Sequence, residues 1–299
     1  MTRGWGLVWG GVLVVIGALA LLFNLGLVHP EQLDRLVVLW PLILMLIGAE
    51  IVISRLASRT IATITMSVVV LLVVAGSVGY VATAPPVQLV HRSVNVADAG
   101  SEPATLKIEL GASTVRMDSA PGPGDAARIG IDYSSAAAAP TVHWNASSRV
   151  LAISRSTSAL AFGLWTPDRV TVTLSEALPW SLELDTGAST ITGDLGQLQL
   201  KRLTVDGGAL TLHLQVGQPS SSVALEVDGG ANHVDVTRPA GVAIHVEVDG
   251  GLNSLQADGH GVGNAVGAIA WSSSGYPAAD AYRLRVDGGA NQVTVSQTA

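Results

Sequence analysis

The stretch Leu225-Glu-Val-Asp-Gly-Gly-Ala-Asn-His-Val-Asp-Val236 decides the fold. Apolar residues alternate before its central Asp-Gly-Gly (Val223, Leu225, Val227) and again after it (Val234, Val236). A period of two marks a strand with one buried face. Asp228 supplies a side chain that bonds nearby amides, and Gly229 and Gly230 accept positive φ. The segment therefore predicts a strand, a tight corner and a second strand.

The same unit recurs along the chain. Asp206-Gly207-Gly208, Asp249-Gly250-Gly251 and Asp287-Gly288-Gly289 sit in equivalent settings, and Asp185-Thr-Gly187 is a looser copy. A degenerate copy runs from Ile108 to Met117. The second glycines fall at 187, 208, 230, 251 and 289, with spacings of 21, 22, 21 and 38 residues. One unit cannot bury its own apolar face, whereas stacked units share a continuous core. The expected fold is an all-β repeat domain, β-solenoid-like, with a repetitive β-sandwich as the alternative. The 38-residue spacing reads as a loop inserted within one extra unit, and the glycine-rich run 259–267 as flexible loop. Between 126 and 181 the pattern is less regular, with strand-like alternation only at Leu151–Ile153 and Val170–Leu174.

The repeated polar residues read as structure rather than chemistry. Asp185, Asp206, Asp228, Asp249 and Asp287 precede the turn at a period near 21, whereas calcium-binding repeats use a nine-residue register with Asp after the glycines. Calcium also takes six to eight oxygens. Asn232, Asn253 and Asn291 share one repeat position and predict a stacked amide ladder that satisfies backbone at the corner. His213, His233 and His245 interleave with apolar positions and should face outward, with no ligand spacing for zinc. No serine lies in Gly-x-Ser-x-Gly and no dinucleotide fingerprint is present. Trp144, Trp165, Trp180 and Trp271 lie near loops or strand ends, where packing is the default role. The chain has no cysteine, which excludes thiolate chemistry. No catalytic residue, metal site or cofactor is expected.

Ahead of the repeats the composition changes. Apolar runs at about 5–23, 36–53 and 61–80 are each 18 to 20 residues long, which at ~1.5 Å per residue spans a hydrocarbon core of ~30 Å. Residues 1–82 are expected to hold three transmembrane helices, 83–92 a linker opened by Pro85-Pro86, and 93–299 the β-repeat domain. Arg3, Arg55 and Arg59 flank one side of the bilayer, against Arg35 and Arg92 on the other. By the positive-inside rule the N-terminus is cytoplasmic and the β-domain extracytoplasmic. Of the 16 basic and 23 acidic residues, 12 and 20 fall beyond residue 86, a net of −8. That charge repels phosphate backbones, so nucleic acid is not an expected partner.

Two motifs carry a family resemblance. Phe23-Asn-Leu-Gly26 closing the first span and Leu39-Trp-Pro-Leu42 opening the second are similar to the transmembrane hairpin of LiaI/LiaF-like bacterial proteins. The Gly-Ala-Ser and Gly-Gly-Ala-Asn signatures resemble the toast-rack and adhesin-type β-repeat domains that follow such hairpins. The resemblance implies a multi-pass cell-membrane protein of the bacterial envelope, non-enzymatic, that senses or regulates stress by protein contact. The partners it implies are membrane lipid and a membrane histidine kinase or another envelope protein. The alternative is a structural or adhesive module binding cell wall, lipid or carbohydrate.

Overall fold

The computed structural model describes Gly76 and residues 89–299, except 98–99, 121–123, 135–138, 156–167 and 299. Apart from Gly76, the three expected spans lie outside the described residues. Fourteen strands are described: β1 Leu89–Ala97, β2 Ala104–Leu110, β3 Ser113–Ala120, β4 Asp125–Ser134, β5 Thr141–Asn145, β6 Val150–Ser154, β7 Asp168–Ser175, β8 Pro179–Leu195, β9 Gln199–Val216, β10 Val223–Arg238, β11 Ala243–Ala257, β12 His260–Ala265, β13 Ile269–Ser272 and β14 Ala281–Gln297. β1 thus opens at Leu89, inside the stretch read as linker.

The long strands β8 to β11 and β14 run through the corner, Asp-Thr-Gly in β8 and Asp-Gly-Gly in the others, without a break. Their burial changes phase there. In β10 the buried positions are 223, 225 and 227 before the corner and 232, 234 and 236 after it. In a straight strand, odd and even positions point to opposite faces. Here both sets enter one hydrophobic cluster, so the strand folds around the core, spending one extra residue at the bend. β14 does the same, with Leu284 and Val286 before the bend and Val293 and Val295 after it.

Neighbouring long strands are parallel and in register. Asp185 pairs with Asp206, Asp206 with Asp228, Asp228 with Asp287, and Asp287 with Asp249. Zero offset places like residues side by side, and a slip of one would turn every inward side chain out. The stacking order is β8-β9-β10-β14-β11, so β14 lies between two strands that precede it in the chain. This corrects the reading of the 38-residue spacing. Residues 258–280 are not a loop inside an extra unit. β12 pairs antiparallel with the second half of β11 and β13 with its first half, covering that end of the stack. The run 259–267, expected to be flexible loop, contains β12, whose hydrogen bonds satisfy an edge that would otherwise be bare.

Toward the other end the bent strand gives way to pairs. β2 and β3 flank the degenerate corner and pair with the first and second halves of β8. Beyond them one sheet continues through β6 and β5, the other through β7, β4 and β1. β6 and β7 cover the two stretches of strand-like alternation noted at 151–153 and 170–174. Trp180 is fully buried and donates its indole N–H to the Ser175 carbonyl at 3.0 Å. Tyr282 is also buried and donates to the Gly217 carbonyl at 3.0 Å, and burial pushes its hydroxyl well above the usual phenol range.

Candidate functional site

The corner is where the repeats present their invariant residues together. Its glycines serve a purpose different from the one expected. Of the paired glycines only Gly250 has a positive φ, +146°. Most of the others are required by close approach, Gly208 excepted, whose added Cβ would lie 3.4 Å from the nearest backbone oxygen. A Cβ on Gly230 would lie 2.8 Å from the Gly208 carbonyl oxygen, one on Gly289 2.8 Å from that of Gly230, and one on Gly251 2.6 Å from that of Gly289. Backbone therefore stacks on backbone through the corner, and any side chain would force the strands apart. Gly207 meets the same limit, with the Thr186 carbonyl 2.7 Å from its added Cβ, while Gly229 and Gly288 would meet the carbonyls of Gly207 and Gly229.

The first inward position after the bend holds Asn232, Asn291 and Asn253 in spatial order, all at least 95% buried. The Asn232 amide donates to Asn291 Oδ1 at 2.8 Å, and the Asn291 amide donates to Asn253 Oδ1 at 2.8 Å. Each amide also reaches the backbone of the next strand: Asn232 to the Asp287 carbonyl at 3.0 Å, Asn291 to the Asp249 carbonyl at 2.9 Å. Asn253 ends the row on the Gly267 carbonyl at 2.6 Å, in the covering segment. At the opposite end the neighbour is Leu210, which has no polar atom, and Asn232 Oδ1 is buried without a partner among the described residues. Further along, Ser189 and Ser113 occupy the same position and bond each other at 3.0 Å.

On the outside of the bend Asp185, Asp206, Asp228, Asp287 and Asp249 form a row at the strand spacing, ~4.8 Å. Desolvation raises the Asp206 carboxyl above its ordinary range, and the charges of Asp228 and Asp185 on either side raise it further. Arg285 lies 3.6 Å from Asp287. Among the described residues no group of three acidic or histidine side chains is arranged to hold a metal ion. The face before the bend alternates in charge, with Arg202 to Glu226 at 3.4 Å and Lys107 to Glu109 at 3.0 Å. The face after it carries rows of small and neutral polar residues: Ala209, Ala231, Ala290 and Leu252, then Thr211, His233, Gln292 and Ser254.

The histidines face outward, yet two of them meet. His213 Nδ1 and His233 Nε2 lie 2.9 Å and 3.3 Å from the same oxygen of Asp235. Parallel register brings them together across β9 and β10, which spacing along the chain does not reveal. His245 instead stacks on Tyr276, centroids 5.2 Å apart. Trp144 and Trp271 are partly buried against the core, and Trp165 lies outside the described residues.

Two ion pairs also went unsignalled. Arg238, 1% exposed, bonds Asp258 at 2.8 Å, and Gln297 bonds the same carboxylate oxygen at 2.9 Å. Its place in the inward series 232, 234, 236, 238 was the available signal. Arg155 pairs with buried Asp168, whose carboxyl is pushed up by desolvation against the opposing pull of that arginine.

An in-register β-repeat with a glycine-stacked corner places the molecule among repetitive all-β domains. The chain belongs to the toast-rack family: residues 86–237 match its N-terminal domain, DUF2154. Residues 7–52 match the LiaI-LiaF-like transmembrane region, so this is a membrane protein. No curated protein matches the chain. Among solved structures it is similar to a "putative cell adhesion protein" from Clostridium sporogenes, at 17% identity and TM-score 0.58, covering 71% of this chain and 100% of that one. A "putative adhesin" from Bacteroides fragilis aligns at 8% identity over 70% of this chain and 97% of its own, with TM-score 0.28. The first of these likenesses concerns the fold alone.

Proposed function

We propose that this protein is a non-enzymatic regulator of the bacterial cell envelope that acts by protein–protein contact. The observation that carries the reading is the joining, in one chain, of a LiaI-LiaF-like membrane region to a toast-rack domain with two long, in-register outer faces. Three helices anchor the domain, the N-terminus is cytoplasmic, and the β-domain from about residue 93 lies outside. There it acts as a solenoid-like spine whose alternating-charge face, from Arg202 across Glu226 to Arg285 and Glu247, meets a membrane histidine kinase or another envelope protein. Charges arranged in this way select a partner more than they tighten it.

Deleting the gene is expected to change envelope-stress transcription. Restoring the chain with Arg283→Glu and Arg285→Glu is expected to leave the defect while the protein remains folded and in the membrane. A second reading, an adhesive module, draws on the largely uncharged polar face after the bend and on the likeness to the cell adhesion protein from Clostridium sporogenes. Unchanged transcription with altered surface attachment would replace the first reading by the second. Topology is tested separately. Cysteines introduced at Ser58 and Ser222 should react with an impermeant thiol reagent in intact cells at 222 only; labelling at 58 only would put the β-domain in the cytoplasm.

A further inference from the structure

We propose that β14 is an exchangeable strand, so that a second copy of this chain can supply it to the slot between β10 and β11. The proposal stands on the fold and is independent of the regulatory reading. β14 is in register with β10 over fifteen residue pairs and with β11 over fourteen, with like residues opposite like at most inward and corner positions, while outward Arg285 lies between Glu226 and Glu247. The inward and corner positions of β10 and β11 therefore match each other, whereas outward Glu226 would come beside Glu247 once Arg285 had left. If β14 leaves, Val227 can face Val248, Asn232 can face Asn253 and Val234 can face Leu255, and the Asn232 amide finds the Asn253 oxygen in place of that of Asn291. The vacated slot therefore has a closed, hydrogen-bonded form, and departure does not leave two bare strand edges in water.

The covering segment remains behind when this happens. β12 and β13 pair with β11 on the side away from β14, so they need not move. Between β13 and β14 lie eight residues, 273–280, which fully extended reach about 26 Å. Every contact that seats β14 is made by residues each copy carries, among them Tyr282 on the Gly217 carbonyl and Ser296 on Thr237. An exchanged pair thus contains the same contacts as two separate copies, and local concentration and hinge strain decide between them. Copies held in one membrane share an orientation and a high effective concentration.

The test uses the cysteine-free full-length chain in membranes. Thr237 and Ser296 are register partners with hydroxyls 3.1 Å apart, close enough for a disulfide between cysteines placed there. Two differently tagged chains are co-expressed, one carrying Thr237→Cys and the other Ser296→Cys, and mildly oxidised. The expected result is a disulfide-linked heterodimer at several times the yield of a Ser220→Cys and Ser296→Cys pairing, which reports chance collision. Equal yields from the two pairings, or no Thr237→Cys with Ser296→Cys dimer, overturn the proposal. The double variant in one chain guards the negative. If it closes within the chain while the mixed singles stay apart, β14 remains with its own copy; if it does not close, β14 does not sit beside β10. Either result also overturns the exchange.

Discussion

The half of the β-domain from Pro179 to Gln297 and the half from Leu89 to Ser175 bury the same kind of core by different means. In the first, one strand of 15 to 18 residues supplies both sheets and turns between them at a glycine-stacked corner. In the second, the strands are 5 to 10 residues long, each belongs to one sheet, and several pair antiparallel. Like residues face each other there only at scattered positions, such as Leu106 with Leu151 and Ile108 with Ile153, and among the described residues the one such pair joined by a side-chain hydrogen bond is Ser113 with Ser189 at the boundary. The difference shows what the repeat contributes. A residue chosen well once is reused at each level, and a buried amide finds its partner in the same amide next door. An irregular half must satisfy each buried group separately, as Arg155 and Asp168 do.

That contrast is breakable at the ladder. Asn291→Ala removes the central amide, leaving Asn253 Oδ1 and the Asp249 carbonyl buried without their donor. A loss of about 3 kcal/mol is expected, with a fall of roughly 6–12 °C in the unfolding midpoint. Ser189→Ala, at the same position in the boundary strand, should lose only about 1 kcal/mol. Denaturant unfolding of the two variants side by side checks this, and equal losses would mean that the ladder acts as isolated bonds.

The corner offers the next largest contrast. Gly230→Ala drives a Cβ to 2.8 Å from a backbone oxygen and is expected to cost about 2 kcal/mol or more. Gly111→Ala meets nothing within 4 Å at the degenerate corner and should stay within about 0.5 kcal/mol of wild type. Thermal melts decide it; a harmless Gly230→Ala would show that the stack relaxes more easily than its spacing implies.

A smaller effect sharpens the boundary of the ladder. Leu210→Asn gives up apolar burial but supplies a donor to the orphaned Asn232 oxygen. Its net loss should be under about 1 kcal/mol, whereas Leu212→Asn, two residues along in the core, should lose more than about 3 kcal/mol. Similar losses for the two would show that the row cannot be extended.

The smallest effect is on the outer row. Because the Asp206 carboxyl is raised in the folded chain, that chain binds more protons than the unfolded one between the ordinary Asp value and the raised one. Stability contributed by this group therefore falls as pH rises through that window. Asp206→Asn is expected to raise the midpoint by about 1 °C at pH 7 and to lose that advantage near pH 3, below the ordinary carboxylate range. A gain that persisted in acid would point to a cause other than charge.

What the sequence made legible follows the same division. The alternation around Asp228 announces two buried-face strands and the spacing of glycines announces a stack, because repetition turns a weak local pattern into a strong one. The row of Asn232, Asn253 and Asn291 was visible as a shared repeat position. Its spatial order was not, since nothing local to 281–297 says that β14 enters between β10 and β11. Zero-offset matching makes all these strands interchangeable neighbours. The function of Gly230 and Gly289 was also hidden: turn chemistry and close approach both select glycine, and only neighbouring backbone separates them. The meeting of His213 and His233 on Asp235 depends on pairing between strands, which a single chain does not display.

The change of phase at the bend sets how such a domain can vary. Substitutions along a strand act by degrees, each altering one contact. Loss of Ala231 alone would instead shift His233 and Asp235 inward and Val234 and Val236 outward, turning half of one level inside out. Length is therefore quantised: insertions and deletions survive as whole levels or within the connections between them, and the domain grows as a ruler does, by graduations.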